Sequence, residues 1–116
     1  MNETYISFYL REGRIYIYID ALRQIGCPDN ICFMIEEKGD NLLMKPYPRK
    51  DLRSHRVPKK VYDHTKRMYV FSTALCRILS RLQNWDNGHS YRVPGTVIPE
   101  KKIVIFPLGR AEIIHE

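Results

Sequence analysis

The first part of the chain contains two short runs in which apolar and polar positions alternate. In residues 4–10 the side chains fall on two faces, Ile6, Phe8 and Leu10 on one and Tyr5, Ser7 and Tyr9 on the other. Residues 14–19 repeat the pattern after a turn at Glu12-Gly13, with an isoleucine at every second position. A period of two predicts antiparallel strands that each bury one face.

A short helix and a hairpin are predicted next. The Asp20 carboxylate can accept hydrogen bonds from the free amides of a first helical turn, so we expect it to cap a helix over residues 21–25. Gly26 tolerates the left-handed conformation that ends such a helix. Residues 31–45 predict a hairpin whose turn contains Gly39, because glycine accepts the positive φ of tight hairpins.

The pattern begins again at residue 67. Residues 67–71 alternate as a strand, and Ser72 is a good N-cap for a helix over residues 73–85. Helical spacing gives that helix an apolar stripe of Leu75, Ile78, Leu79 and Leu82. Three more strands are predicted over residues 90–93, 102–106 and 111–114. The first two of them form a hairpin with a broad loop that Pro94-Gly95 punctuates.

The two halves of the chain resemble each other at an offset of 53 positions. Over residues 14–25 and 67–78 the identical pairs are Arg14/Arg67, Tyr16/Tyr69, Ala21/Ala74, Leu22/Leu75 and Ile25/Ile78. Each half then gives a helix, a loop and a hairpin that ends in an apolar strand and a proline. Similar units that cannot bury their apolar faces alone pack on each other. The sequence therefore predicts a β-rich α+β fold of two β-α-ββ repeats around a shared core.

Positive charge is concentrated in the middle of the chain. The 116 residues carry a net charge of +6, and residues 45–67 hold nine Lys or Arg against two Asp, so that the rest of the chain nets −1. The same segment contains three prolines and little apolar periodicity, which predicts a basic, proline-containing linker over residues 47–65. We expect it to join a first repeat, residues 1–46, to a second, diverged repeat, residues 66–116, within one compact domain.

The basic segment has two interpretations. It is the electrostatic footprint expected of a protein that binds a polyanion such as nucleic acid. The alternative is a solvated connector whose charge only keeps the chain soluble.

Composition excludes several classes of protein. Hydrophobic residues make up 44% and charged residues 28%, which excludes wholesale disorder and low-complexity sequence. No apolar run approaches the roughly 20 residues that span a bilayer, so we expect no membrane partner. The first residues lack the features of a secretory signal, and three cysteines fit no dense disulfide framework, so we expect a reducing cytoplasm.

Groups with catalytic or metal-binding chemistry are scattered along the chain. Cys32 and Cys76 lie among apolar neighbours, where small buried thiols are common, and Cys27 has no nearby histidine to complete a zinc site. The run Asp86-Asn87-Gly88-His89-Ser90 is better explained as a turn than as a catalytic triad. We therefore expect no enzymatic activity, no cofactor, no metal and no small-molecule substrate.

The first half carries a recognisable order of short motifs. They are Gly13-Arg14-Ile15-Tyr16-Ile17, Leu22-Arg23, Gly26, Pro28-Asp29-Asn30 and a hairpin over residues 31–46. This order resembles the swapped-hairpin family of bacterial transcription regulators typified by AbrB, SpoVT and MraZ. Residues 66–107 resemble it more weakly, since Lys66 and Leu79 replace the two glycines. The resemblance implies that the two repeats form one AbrB-like pseudo-dimeric barrel or sheet unit within a single chain.

The resemblance also implies a function and a set of residues. It implies a cytoplasmic, non-enzymatic bacterial regulator of transcription whose partner is DNA, with self-association as a further possibility. Basic residues on exposed strands and helix starts contact DNA in that family, and the matching positions here are Arg14, Arg23 and Arg67. Arg77 is a further candidate, one place after Cys76, the counterpart of Arg23. The basic segment adds Arg49, Lys50, Arg53, Arg56, Lys59, Lys60 and Lys66. Contacts to phosphates would give affinity, and a few contacts to base edges would give specificity.

The tyrosines leave a second function open. Tyr5, Tyr9, Tyr16 and Tyr18 fall on one face of the predicted strands, where they form either a stacking surface for single-stranded nucleic acid or a contact surface for a protein. In the latter case the chain is a protein-interaction module or structural subunit, and the basic segment is merely solvated.

Overall fold

A single antiparallel sheet dominates the fold. The computed structural model describes residues 3–49 and 51–114. Its strands are β1 Glu3–Tyr9, β2 Arg14–Tyr18, β3 Asn30–Ile35, β4 Asn41–Pro46, β5 His55–Arg56, β6 Arg67–Phe71, β7 Ser90–Ile98, β8 Ile103–Pro107 and β9 Glu112–Ile114. The helices are α1 Ile19–Gln24, α2 Val61–His64 and α3 Thr73–Gln83. The protein is therefore a β-rich α+β protein, as the sequence predicts.

The sheet is nearly closed on itself. Its strands follow the order β5-β3-β4-β8-β7-β1-β2-β6, and β9 adds to β7. Three of the pairs of neighbouring strands join the two halves of the chain: β1 pairs with β7, β4 with β8 and β2 with β6. Both halves therefore contribute to one core.

The core fills the inner side of this curved sheet. Side chains that point inward from β1 and β2, such as Phe8 and Ile17, are buried, and so are Leu22 of α1, Leu79 of α3 and Phe106 of β8. The outward side chains of β1 and β2 include the tyrosines, Ser7 and Arg14, as the alternation predicts. One side of each strand thus builds the core and the other side builds the molecular surface.

The start of α1 differs from the sequence prediction. The prediction of Asp20 as N-cap is wrong, since α1 begins at Ile19 and Asp20 lies within the first turn, 2.8 Å from Arg23. The Ile19 amide donates to the Lys66 carbonyl at 2.9 Å and so still continues the pairing between β2 and β6. The helix therefore begins where this ladder ends, with no side-chain cap. Gly26 has a φ of 99°, as the prediction of a glycine stop requires.

Helix α3 has the predicted beginning but a different end and a different buried side. The Ser72 hydroxyl accepts from the Leu75 amide, which confirms the N-cap. The helix ends before Trp85 because Asn84 adopts a left-handed φ of 54°. Its predicted apolar stripe is only partly buried. Cys76 and Leu79 face the core, whereas Ile78 and Leu82 are exposed.

The broad loop predicted around Pro94-Gly95 is instead the middle of β7. Pro94 lies between the residues that pair with β9 and those that pair with β8, where β7 has a partner strand on one side only and a missing N–H is tolerated. Gly95 is buried under Phe106, whose ring a Cβ at this position would overlap. The connection between β7 and β8 is a short 3-10 turn, Pro99–Lys101.

The basic segment between the halves is more ordered than the sequence suggests. It contains β5 and α2, and the buried Val57 donates its amide to the Asp29 carbonyl at 2.8 Å. The Tyr62 hydroxyl donates to the Pro28 carbonyl at 2.7 Å, and burial raises the pKa of Tyr62. Isolated buried or partly buried side chains such as those of Val57 and Tyr62 produce no periodic pattern of apolar residues in the sequence. No helix in the described ranges is long and apolar enough to cross a membrane.

Candidate nucleic-acid interface

The outward side of four neighbouring strands forms a surface rich in tyrosine and arginine. It comprises Tyr5, Ser7 and Tyr9 of β1, Arg14, Tyr16 and Tyr18 of β2, Arg67, Tyr69 and Phe71 of β6, and Arg92 of β7. We call this surface the arginine–tyrosine face. It occupies one side of the sheet because residues that are paired across strands point to the same side.

Aromatic rings on this face pack edge to face. The Tyr9 and Tyr16 ring centroids are 5.2 Å apart, and those of Tyr16 and Tyr69 are 5.7 Å apart. The Tyr69 and Phe71 centroids follow at 5.4 Å, so the contacts run from β1 through β2 to β6. Exposure rises along this path and reaches 53% for Tyr69 and 63% for Phe71.

Arg14 and Arg67, both predicted from the sequence, come together on the arginine–tyrosine face. Their guanidinium carbons each lie 5.1 Å from the centroid of the same Tyr16 ring, and Arg14 also lies 4.9 Å from that of Tyr9. Such cation–π contacts attract a guanidinium to the face of a ring without neutralising its charge. Arg14 also pairs with Glu12 at 2.8 Å, and its Nε is buried without a hydrogen-bond partner among the described residues.

Arg92 is a member of the face that the sequence reasoning missed. It lies opposite Ser7, with its guanidinium 4.8 Å from the Tyr5 ring centroid and 2.9 Å from Glu112. The hydrogen bonds that Arg92 donates to Glu112 raise the pKa of Arg92, so it is charged throughout the physiological range. Its position depends on the pairing of β1 with β7, and no local pattern in the sequence indicates that pairing.

The other predicted basic residues are placed in several parts of the fold. Arg23 donates to the Tyr62 carbonyl at 2.8 Å and so ties α1 to α2. Arg56 and Lys59 line an open cleft of about 370 Å³ together with Asp29. Arg77 is exposed on α3, and Lys50 lies outside the described residues. No hydrogen bond or ion pair in the described ranges joins Arg23, Arg56, Lys59 or Arg77 to Arg14 or Arg67.

Few of the predicted basic residues are neutralised by carboxylates. Arg14, Arg23 and Arg53 each have an acidic partner within 4.0 Å. The described candidates with no such partner in the described ranges are Arg49, Arg56, Lys59, Lys60, Lys66, Arg67 and Arg77. Hydrogen bonds from the Arg53 amide and the Tyr47 hydroxyl hold the pKa of Asp51 below its usual range, so this carboxylate offsets part of the charge near it. The remaining cations are available to an anionic partner.

Among the described residues, side chains that could hold a metal ion do not cluster. The three cysteines are free, and burial raises the pKa of Cys76 to about 11 and also raises that of Cys32. Both thiols are therefore protonated near neutral pH. In the described part of the chain no three His, Cys, Asp or Glu side chains lie close enough together to hold a metal ion. Among the described residues, the arginine–tyrosine face is the group of side chains best suited to binding a partner.

Comparison of the chain with protein-family models, with curated proteins and with solved structures finds no match.

Proposed function

We propose that this protein binds double-stranded DNA as a non-enzymatic bacterial transcription regulator, using Arg14 and Arg67 for recognition and the basic segment for affinity. The observation that carries the proposal is the meeting of Arg14 and Arg67 on one exposed sheet surface. Planar guanidinium groups suit paired acceptors such as those of guanine, and phosphates accept from Arg and Lys alike.

Strand register supports an internal duplication of the AbrB-like kind. In the β2–β6 pair Tyr16 is opposite Tyr69, and the flanking pairs are Arg14–Phe71 and Tyr18–Arg67. Exchanging each residue for its counterpart 53 positions away turns one flanking pair into the other. The register is thus unchanged by exchanging the repeats, as a pseudo-twofold axis through Tyr16 and Tyr69 requires.

The β4–β8 pair behaves in the same way. It pairs Leu43 with Ile105 and Met44 with Val104. Aligning the strands on their final prolines, Pro46 and Pro107, makes each of these pairs the counterpart of the other. We infer that one pseudo-twofold axis passes through both strand pairs and relates Arg14 to Arg67. Such a pair of arginines is suited to the local twofold symmetry of duplex DNA.

A salt titration of binding to a labelled DNA duplex tests the proposal. If about five phosphates are neutralised, the logarithm of affinity falls with the logarithm of salt concentration at a slope of roughly −4 to −5. Replacing Arg53, Arg56, Lys59 and Lys60 by Ala flattens that slope and weakens binding to all sequences alike, because phosphate contacts carry no base information.

A matched variant separates local contacts from net charge. Replacing Lys38, Arg81, Lys101 and Arg110 by Ala removes the same charge from exposed positions outside the basic segment. We expect this variant to keep a slope near that of the parent. Equal slopes for the two variants, or no salt-dependent binding by the parent at low ionic strength, would contradict the proposal.

The Arg67→Lys variant tests recognition separately. Lysine keeps the positive charge but lacks the flat guanidinium that stacks on Tyr16, so we expect the salt slope to stay the same. Preference among duplex sequences should change by about 1–3 kcal/mol at the base pair that Arg67 contacts. An unchanged preference would restrict Arg67 to phosphate contact.

A protein partner is the second candidate, and the exposure of Tyr69 and Phe71 favours it. Aromatic residues and arginine are enriched at the centres of protein interfaces. In that case DNA binding is weak and insensitive to the basic segment, and the Tyr69→Ala variant loses the partner instead.

A further inference from the structure

Strand β6 has an edge that no other strand covers. It is the last strand in the sheet order and pairs with β2 alone among the described residues. The corresponding edge of β2 is covered by β1. The last strand before β6 in the chain is β5. It does not cover the free edge of β6, because it pairs with Asn30 and Ile31 of β3 instead.

Hydrogen bonds at the two ends of β6 show which main-chain groups face outward. The Ile19 amide donates to the Lys66 carbonyl, and the Ser72 amide donates to the Gly13 carbonyl. Because antiparallel strands alternate between hydrogen-bonded and non-hydrogen-bonded pairs, Met68 and Val70 also direct their N–H and C=O groups towards β2. The residues between them, Arg67, Tyr69 and Phe71, direct theirs away from β2.

These three residues form an exposed edge with aromatic side chains. No main-chain hydrogen bond in the described part of the chain engages the N–H or C=O of Arg67, Tyr69 or Phe71. All three residues are solvent-exposed. A row of unpaired amides and carbonyls beside exposed aromatic rings is a template for an added strand.

The strand that already pairs with β6, which is β2, indicates what kind of strand could pair with the free edge of β6. β2 has the sequence Arg-Ile-Tyr-Ile-Tyr, and β6 has the similar sequence Arg-Met-Tyr-Val-Phe. They pair with tyrosine opposite tyrosine and arginine opposite an aromatic residue at each end. Within the chain, the antiparallel partner of β6 is therefore a strand whose sequence resembles that of β6 itself.

We propose that β6 pairs with β6 of a second copy of this chain, antiparallel and centred on Tyr69. In this register Tyr69 lies opposite Tyr69 of the second copy, and Arg67 lies opposite its Phe71. Each outward N–H and C=O of the three residues then finds a partner, because all of these pairs are of the hydrogen-bonded kind. The arginine–tyrosine face continues across both copies as one surface. The proposal does not depend on DNA binding.

The parent protein supplies the first test. Sedimentation equilibrium from about 1 μM to 1 mM is expected to reveal a reversible dimer. Hydrogen exchange gives a residue-level pattern: the Arg67, Tyr69 and Phe71 amides become protected as concentration rises, whereas the Met68 and Val70 amides are protected at every concentration. A monomer throughout this range, or edge amides whose protection does not change with concentration, would overturn the proposal.

A proline at position 69 tests the geometry. Because the Tyr69 amide points away from β2, Tyr69→Pro removes an outward donor and leaves the β2 ladder intact. The control Tyr69→Val also lacks the ring but keeps the N–H. We expect the dimer dissociation constant of Tyr69→Pro to be at least about tenfold higher than that of Tyr69→Val. Equal constants would overturn the proposal, and if Tyr69→Pro fails to fold, the exchange pattern of the parent decides.

Discussion

Arg14 and Arg67 are positioned on the surface by aromatic rings. Both guanidinium groups lie against Tyr16, and only Arg14 has a carboxylate, that of Glu12, among its described neighbours. A cation–π contact holds a guanidinium near a ring without neutralising its charge. The face therefore presents cations whose positions the rings help to fix.

Gly95 gives a prediction at the same scale. A Cβ at this position would lie 2.6 Å from Cε1 of Phe106 and 3.0 Å from the Ile105 carbonyl oxygen, in a region where β7 and β8 are closely packed. We expect Gly95→Ala to lower the free energy of unfolding by about 1–3 kcal/mol through overpacking. Urea denaturation of the variant and the parent measures the difference.

Gly109 provides the matched control. A Cβ at Gly109 would meet no atom within 4 Å, so Gly109→Ala should change the free energy of unfolding by no more than about 0.5 kcal/mol. Equal effects at the two glycines would mean that the Phe106 ring moves aside at little cost.

At the scale of secondary structure, α3 owes its beginning to one hydroxyl. Ser72 accepts from the Leu75 amide at 3.2 Å, and this contact satisfies one of the free amides of the first turn. We expect Ser72→Ala to destabilise the protein by about 1 kcal/mol. Thermal denaturation followed by circular dichroism measures this loss.

Ser80, in the interior of the same helix, is the control. Its hydroxyl donates to the Cys76 carbonyl at 2.8 Å. That carbonyl lies in the interior of the helix and not at its end, so Ser80→Ala removes no cap. We expect a neutral or slightly stabilising effect. A loss at Ser80 as large as that at Ser72 would argue against capping as the cause.

Local patterns predicted the strands and helices better than their boundaries. Alternation identified β1, β2 and β6, and the Ser72 cap identified α3, because both signals lie within a few consecutive residues. The start of α1 was missed because the bond from Ile19 to Lys66 joins residues far apart in sequence. The same limit applies to the candidate site. Arg14 and Arg67 became candidates through the resemblance to the AbrB-like family, whereas Arg92 depends on the β1–β7 register.

At the scale of the whole molecule, the two halves are interlocked. Strands of the first half pair with strands of the second at β1–β7, β2–β6 and β4–β8. Neither half keeps a complete sheet if the other unfolds. Stability is therefore a property of the entire chain.

This interlocking predicts a single unfolding transition. We expect the van't Hoff and calorimetric enthalpies to agree, with a ratio of about 1, because no half is stable alone. Scanning calorimetry supplies both values, and Gly95→Ala in the second half should shift the one transition without splitting it. Two resolved transitions would mean that the repeats unfold independently.

The pairing of β1 with β7 also has a consequence for folding of the chain during its synthesis on the ribosome. Residues Glu3–Tyr9 are synthesised well before their partner strand, Ser90–Ile98. Until then one edge of β1 and the apolar side of the β1–β2 hairpin remain without their final neighbours. Native closure is therefore delayed until β7 has been translated, and a nascent chain stalled before β7 should need protection from aggregation.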